Sequence, residues 1–236
     1  TLVLGSQTLH ATGLAMGLVF DGESGSGDPT RDEAVIVYYG DGASSQGDVH
    51  EAMVFAASYR TPEVFFLQNN QWAISVPVSR QHGAPSLAHR AAGYGMPAVR
   101  VDGNDVLACF AVMDRAAQRA RHGGGPTFIE ALTYRMGPHT TSDDPTRYRS
   151  ARDVEQWAAR DPIARYATYL RTVGVLTDRI TQRVQTRADR LRGELRDAVV
   201  GAPDRDIAEV FDTVYHDITP ELARQRDQLL VELGKD

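Results

Sequence analysis

Short unbroken apolar runs alternate with segments of helical periodicity over roughly the first 150 residues of the chain. Ala34-Val35-Ile36-Val37-Tyr38-Tyr39 and Val64-Phe65-Phe66-Leu67 are β-branched or aromatic and free of charge, the pattern of strands buried on both faces. Ala98-Val99-Arg100-Val101 and Thr127-Phe128-Ile129-Glu130-Ala131-Leu132 are further strand candidates. Between the first two runs, Gly47 to Tyr59 places Val49, Met53, Ala56 and Ala57 at helical spacing, so this segment is expected to pack back on the sheet. A helix is also expected from about Ser6 to Phe20, and another from Asp105 to Arg121, ended by Gly123-Gly124-Gly125-Pro126. Such alternation predicts an α/β fold, a mostly parallel sheet covered by helices on both faces. Asp21 to Gly27 reads as a flexible surface loop, too short to link domains.

Beyond Ser150 the pattern turns helical. Ile180, Val184, Ala188, Leu191, Leu195 and Val199 mark one face of a long amphipathic helix. Thr219-Pro220 reads as a helix cap and first position, introducing Leu222, Leu229, Leu230 and Leu233. The expected division is an α/β domain over 1–150 and a helical extension over 151–236, packed on that domain and on partner subunits. Acids interspersed among the arginines of the long helix favour a partner over a membrane surface.

Composition narrows the function classes. At 236 residues and 42% hydrophobic, the chain can bury a substantial core. A formal charge of −6 gives no reason to expect nucleic acid. The lone Cys109 rules out an internal disulfide and is expected to be a buried small hydrophobe. No apolar run approaches a membrane span of about 20 residues and no signal peptide is visible, so a cytoplasmic protein is expected.

Two strand ends carry the candidate chemistry. The first strand empties into Gly40-Asp41-Gly42-Ala43-Ser44-Ser45, the second into Gln68-Asn69-Asn70-Gln71-Trp72. Gly-Asp-Gly alone is an ordinary turn and Asn-Asn a strand-ending loop. Together, at neighbouring strand ends, they make a crevice of the kind where open α/β sheets bind ligands. Magnesium takes oxygen ligands, commonly one or two carboxylates completed by phosphates and water, and Asp41, Asn70 and a backbone carbonyl fit that pattern.

Taken with Val101-Asp102-Gly103-Asn104-Asp105-Val106, Tyr134 to Ser150 and Asp212-Thr213-Val214-Tyr215, these stretches resemble the alpha subunit of the decarboxylating component of 2-oxo acid dehydrogenase complexes. The branched-chain type is the nearest resemblance and bacterial pyruvate dehydrogenase the next. The resemblance implies the thiamine diphosphate-binding fold, with thiamine diphosphate and Mg2+ as cofactors. Asp41, Asn70 and the Trp72 carbonyl would be the metal ligands. Gly40, Gly42, Ala43 and Ser45 would lie against the diphosphate, and Leu4 would be an apolar wedge under the aminopyrimidine ring. By residue pattern alone, Leu2, Val3 and Leu4 read equally as core. Gln68 stands where branched-chain relatives often carry Arg. His139 matches the histidine that contacts the diphosphate and assists acyl transfer, and Arg135 is expected to brace its loop through Asp143 or Asp144 or toward the phosphate. Thr140 stands where mammalian relatives carry a phosphorylated serine and is read here as an ordinary loop residue.

The activity so implied is oxidative decarboxylation of a branched-chain 2-oxo acid, with acyl transfer to the lipoyl domain of the acyltransferase component. Pyruvate is the alternative substrate. The beta subunit of an alpha2beta2 enzyme would supply the glutamate that activates the aminopyrimidine. Family members usually begin much earlier, so the front of the family's chain, with part of the substrate pocket, is expected to be absent. A folded, non-catalytic fragment acting only in subunit association is the alternative of another class.

Overall fold

In the computed structural model, which describes residues 3–234, the strands run β1 (Val35–Gly40), β2 (Glu63–Asn69), a short antiparallel hairpin of β3 (Trp72–Ala73) and β4 (Val76–Pro77), then β5 (Ala98–Asp102) and β6 (Thr127–Leu132). The four long strands form one parallel sheet in the order β1-β2-β6-β5. Helices α1 (Gln7–Phe20), α2 (Gly47–Tyr59), α3 (His89–Gly93) and α4 (Val106–Arg121) surround it, followed by α5 (Ala151–Ala158) and α6 (Pro162–Thr172).

Period-two alternation divides the strand side chains between two cores. Phe65 and Leu67 join Val37, Tyr39 and Phe128 against Val49, Met53 and Ala56 of α2 and Ala91 of α3. Val64 and Phe66 point the other way, with Ile129 and Ala131, onto Ala116, Val112 and Met113 of α4. Each large apolar side chain so buried contributes about 1.5–3 kcal/mol. The sheet is therefore parallel and covered on both faces, as its apolar runs predict.

Four expectations need correction. β1 is an edge strand, and Ile36 and Tyr38 on its outer face are 39% and 53% exposed, so burial on both faces fails there. The loop after α1 is pinned rather than loose: the Gly25 N–H donates to the Arg121 carbonyl at 2.7 Å, and the Glu33 N–H to the Glu23 carbonyl at 2.8 Å. Gly25 sits at φ 67°, and a Cβ there would lie 3.0 Å from the Gly123 Cα, so both backbone shape and contact require glycine. Cys109 is half-buried, its thiol pushed up by burial and by Asp102 and Asp105. Val3 and Leu4 are exposed rather than core, and Leu2 lies outside the described residues.

The chain divides into two compact units between Val175 and Leu176, so α5 and α6 belong to the first. The change from alternation to helices at residue 150 thus precedes the division in compactness. The second unit holds α7 (Asp178–Val200), α8 (Glu209–Asp212) and α9 (Pro220–Glu232). Thr177 and Thr219 cap α7 and α9 through side-chain oxygens that accept from Ile180 and Leu222 N–H groups at 3.4 and 3.3 Å. Val184, Leu191, Leu195 and Val199 of α7 are all exposed. Among the described residues no helix is long and apolar enough to cross a membrane.

Candidate cofactor site

Strand register brings the two chemical loops together. Gly40 at the end of β1 pairs with Gln68 of β2, so Asp41 leaves the sheet beside Asn69 and Asn70. Close contact is fixed at Gly42, where an added Cβ would lie 2.9 Å from the Ala73 Cβ. Asp41 is buried; its Oδ2 accepts from Gln81 Nε2 at 2.7 Å, while Oδ1 is buried with no protein partner. Burial raises the Asp41 carboxyl above the ordinary range, against the lowering effect of the Gln81 hydrogen bond.

Residues Ala43–Ser45 form a single 3-10 turn. The buried Ser44 Oγ donates to the Asp41 carbonyl at 2.5 Å, and Arg90 Nη1 donates to the Ser44 carbonyl and Oγ at 2.7 and 2.8 Å. Ala43 is buried, whereas Ser45 is exposed at the end of the turn. Gly5 lies against Gln46 just beyond it, which places the exposed Leu4 near this end of the sheet.

The second loop holds unusual backbone. Gln71 at φ 72° and Ile74 at φ 54° occupy the left-handed region that non-glycine residues seldom adopt, and such residues gather at functional sites. Asn70 Oδ1 accepts the Trp72 N–H at 3.0 Å. Arg135 Nη1 donates to the Trp72 carbonyl at 3.3 Å and Nη2 to the Ile74 carbonyl at 2.6 Å, and Nη2 also donates to the Tyr148 hydroxyl at 2.8 Å. Tyr148 in turn donates to Asp143 Oδ2 at 2.6 Å, which also accepts the His139 N–H at 2.7 Å. Those two hydrogen bonds, His139 first, hold the Asp143 carboxyl below its usual range. Arg149 adds donors to the carbonyls of Arg135 and Met136. Arg135 thus reaches Asp143 by way of Tyr148.

Of the residues singled out in the sequence, the structure gathers Gly40, Asp41, Gly42, Ala43, Asn70 and Trp72 at one end of the sheet. Gln68, Ser45 and His139 are exposed; the Gln68 carbonyl accepts the Asn70 N–H at 3.0 Å. Gln81, Arg90, Asn69, Glu130 and Tyr148 support the site without having been singled out. Glu130, a lone acid in an apolar strand, carried a signal; Gln81 carried none.

The donor set suits a hard cation: a buried carboxylate oxygen without a partner, an amide oxygen and a carbonyl. Among the described residues, no group of three or more His, Cys, Asp or Glu side chains could hold a metal ion. A cation at Asp41 would therefore draw its remaining ligands from amide, carbonyl and phosphate oxygens. The residues fit a magnesium diphosphate.

Residues 2–210 match the family model described as dehydrogenase E1 component. The chain is 59% identical over 232 residues to 3-methyl-2-oxobutanoate dehydrogenase subunit alpha of Mycobacterium tuberculosis (strain ATCC 25618 / H37Rv), covering 98% of this chain and 61% of that protein. It is 38% identical over 233 residues to pyruvate dehydrogenase E1 component subunit alpha of Acholeplasma laidlawii, covering 96% and 64%. The same identity over 228 residues relates it to the subunit of that name from Staphylococcus epidermidis (strain ATCC 12228 / FDA PCI 1200), covering 95% and 59%. The chain thus spans about three fifths of the length of these curated relatives.

Proposed function

From the premise that the chain belongs to the dehydrogenase E1 component family, whose members depend on thiamine diphosphate, we propose that it is the alpha subunit of a branched-chain 2-oxo acid dehydrogenase. Its activity is oxidative decarboxylation of acids such as 3-methyl-2-oxobutanoate, with acyl transfer to a lipoyl domain of the acyltransferase component. The observation that carries the reading is Asp41, a buried carboxylate with one oxygen unpartnered, held where two strand-end loops meet. The choice of branched-chain acid over pyruvate rests on 59% against 38% identity to relatives of those names.

Asp41, Asn70 and the Trp72 carbonyl would hold Mg2+. Backbone donors at Gly42 and Ala43 and the Ser45 hydroxyl would face the diphosphate, where turn N–H groups make an anion-binding concavity. When bound, thiamine diphosphate supplies the electron sink for decarboxylation. Arg135 fixes the direction of the Trp72 carbonyl, and the Arg135-Tyr148-Asp143 chain sets the backbone from which His139 projects. An imidazole there would hydrogen-bond an anion and hold a proton at a ring nitrogen. Gln68 and Leu4 would complete the cofactor's surroundings on the exposed side. A beta subunit in an alpha2beta2 assembly would close the site, and the helical extension over 151–236 would pack on partner subunits through the exposed stripe of α7.

Dye-coupled oxidation by the chain mixed with its beta subunit tests this. Turnover of 3-methyl-2-oxobutanoate faster than of pyruvate, dependent on magnesium thiamine diphosphate, is expected. Faster pyruvate turnover would transfer the proposal to pyruvate dehydrogenase. No turnover of either acid would favour a chain acting in subunit association alone.

A further inference from the structure

The apolar strand β6 carries one acid, Glu130, fully buried. A carboxylate in a protein interior is costly unless its oxygens are compensated, and both oxygens of Glu130 are. Oε1 accepts from Asn69 Nδ2 at 2.8 Å and lies 3.6 Å from Arg100 Nε. Oε2 accepts the Ala88 N–H at 2.8 Å. The two oxygens lead to the two halves of the cofactor site. On one side, Asn69 Oδ1 accepts the Gln71 N–H at 3.0 Å, fixing the left-handed residue between Asn70 and Trp72. On the other, Ala88 starts the short segment bearing Arg90, whose guanidinium grips Ser44, and Ser44 grips the Asp41 carbonyl.

We propose that Glu130 is a positioning residue: it sets the spacing of Asp41 against the Asn70–Trp72 loop, and through that spacing the affinity for magnesium thiamine diphosphate. It acts through Asn69 and Ala88, not as a ligand. The inference rests on the cofactor site proposed above.

The test uses the chain assembled with its beta subunit and the substitution Glu130→Gln, which preserves shape but turns an amide NH2 toward one of the two donors. Magnesium thiamine diphosphate is titrated while tryptophan fluorescence is followed, and the melting midpoint of the cofactor-free assembly is measured in parallel. Dissociation constants about 10–100-fold higher are expected, the range typical of groups that orient ligands, with the KM for 2-oxo acid unchanged at saturating cofactor. A lesion that merely loosens the fold would lower the melting midpoint and leave the affinity of the folded protein alone. That result, a folded variant with the unsubstituted Kd, would overturn the inference. If Glu130→Gln does not fold, Asn69→Ser removes one arm while Ala88 and Arg100 still compensate Glu130, and the same expected and overturning results apply. Failure of the unsubstituted assembly to bind magnesium thiamine diphosphate would instead overturn the cofactor-site reading, and the inference with it.

Discussion

Gly42 is where the two chemical loops touch, and it has no room for a side chain. A Cβ would meet the Ala73 Cβ at 2.9 Å, a distance that forces one loop to move. Gly42→Ala is therefore expected to separate Asp41 from Asn70 and raise the dissociation constant for magnesium thiamine diphosphate by about 10–100-fold, the cost typical of disturbing groups that orient metal ligands. Calorimetric titration against the unsubstituted assembly checks it. The acid and amide proposed to hold the cofactor could be picked out because side chains of those types at strand ends are informative by type and place. Their supports could not. Gln81 reaches Asp41 across 40 positions, Arg90 reaches Ser44 across 46 and Glu130 reaches Asn69 across 61, and no local pattern encodes such contacts.

Strand β2 and helix α1 meet around another buried acid. Glu63 is inaccessible to solvent, accepts from Thr12 and Thr61 hydroxyls at 3.0 to 3.3 Å, and is pushed up to about 8 by burial, which outweighs those hydrogen bonds. The folded chain keeps this proton up to about pH 8, while the unfolded chain releases it near 4.5. Stability from this group is thus fully present below the unfolded value and is lost as pH rises toward 8, by about 1.4 kcal/mol for each unit of separation. Glu63→Gln is expected to flatten that decline and to melt higher than the unsubstituted chain at pH 8 and above; melting curves across this range decide it. The elements themselves were legible where an apolar run or a helical stripe was long. The hairpin of β3 and β4 was not, since two-residue strands have no periodicity. Nor was the exposure of Ile36 and Tyr38, because an apolar edge strand and an apolar central strand read alike until their neighbours are known.

At the scale of the molecule, the first unit brings a carboxylate, an amide and a carbonyl to the carboxyl end of a parallel sheet, and the second displays an apolar stripe on α7. The first feature is the one on which the proposed cofactor site rests. The central claim is that the strand-end oxygens bind the cofactor, and Asp41→Asn addresses it most directly. Burial already raises this carboxyl, so its charge costs stability above the ordinary carboxylate range, and a neutral amide of the same shape should fold at least as well. Calorimetric titration of magnesium thiamine diphosphate into the assembly with its beta subunit is the decisive measurement. Saturable binding by the unsubstituted protein, weakened by Asp41→Asn beyond the roughly 100-fold upper range of outer-shell changes, is the expected result. Equal binding by both proteins would contradict the account, because the cofactor would then be held somewhere other than Asp41.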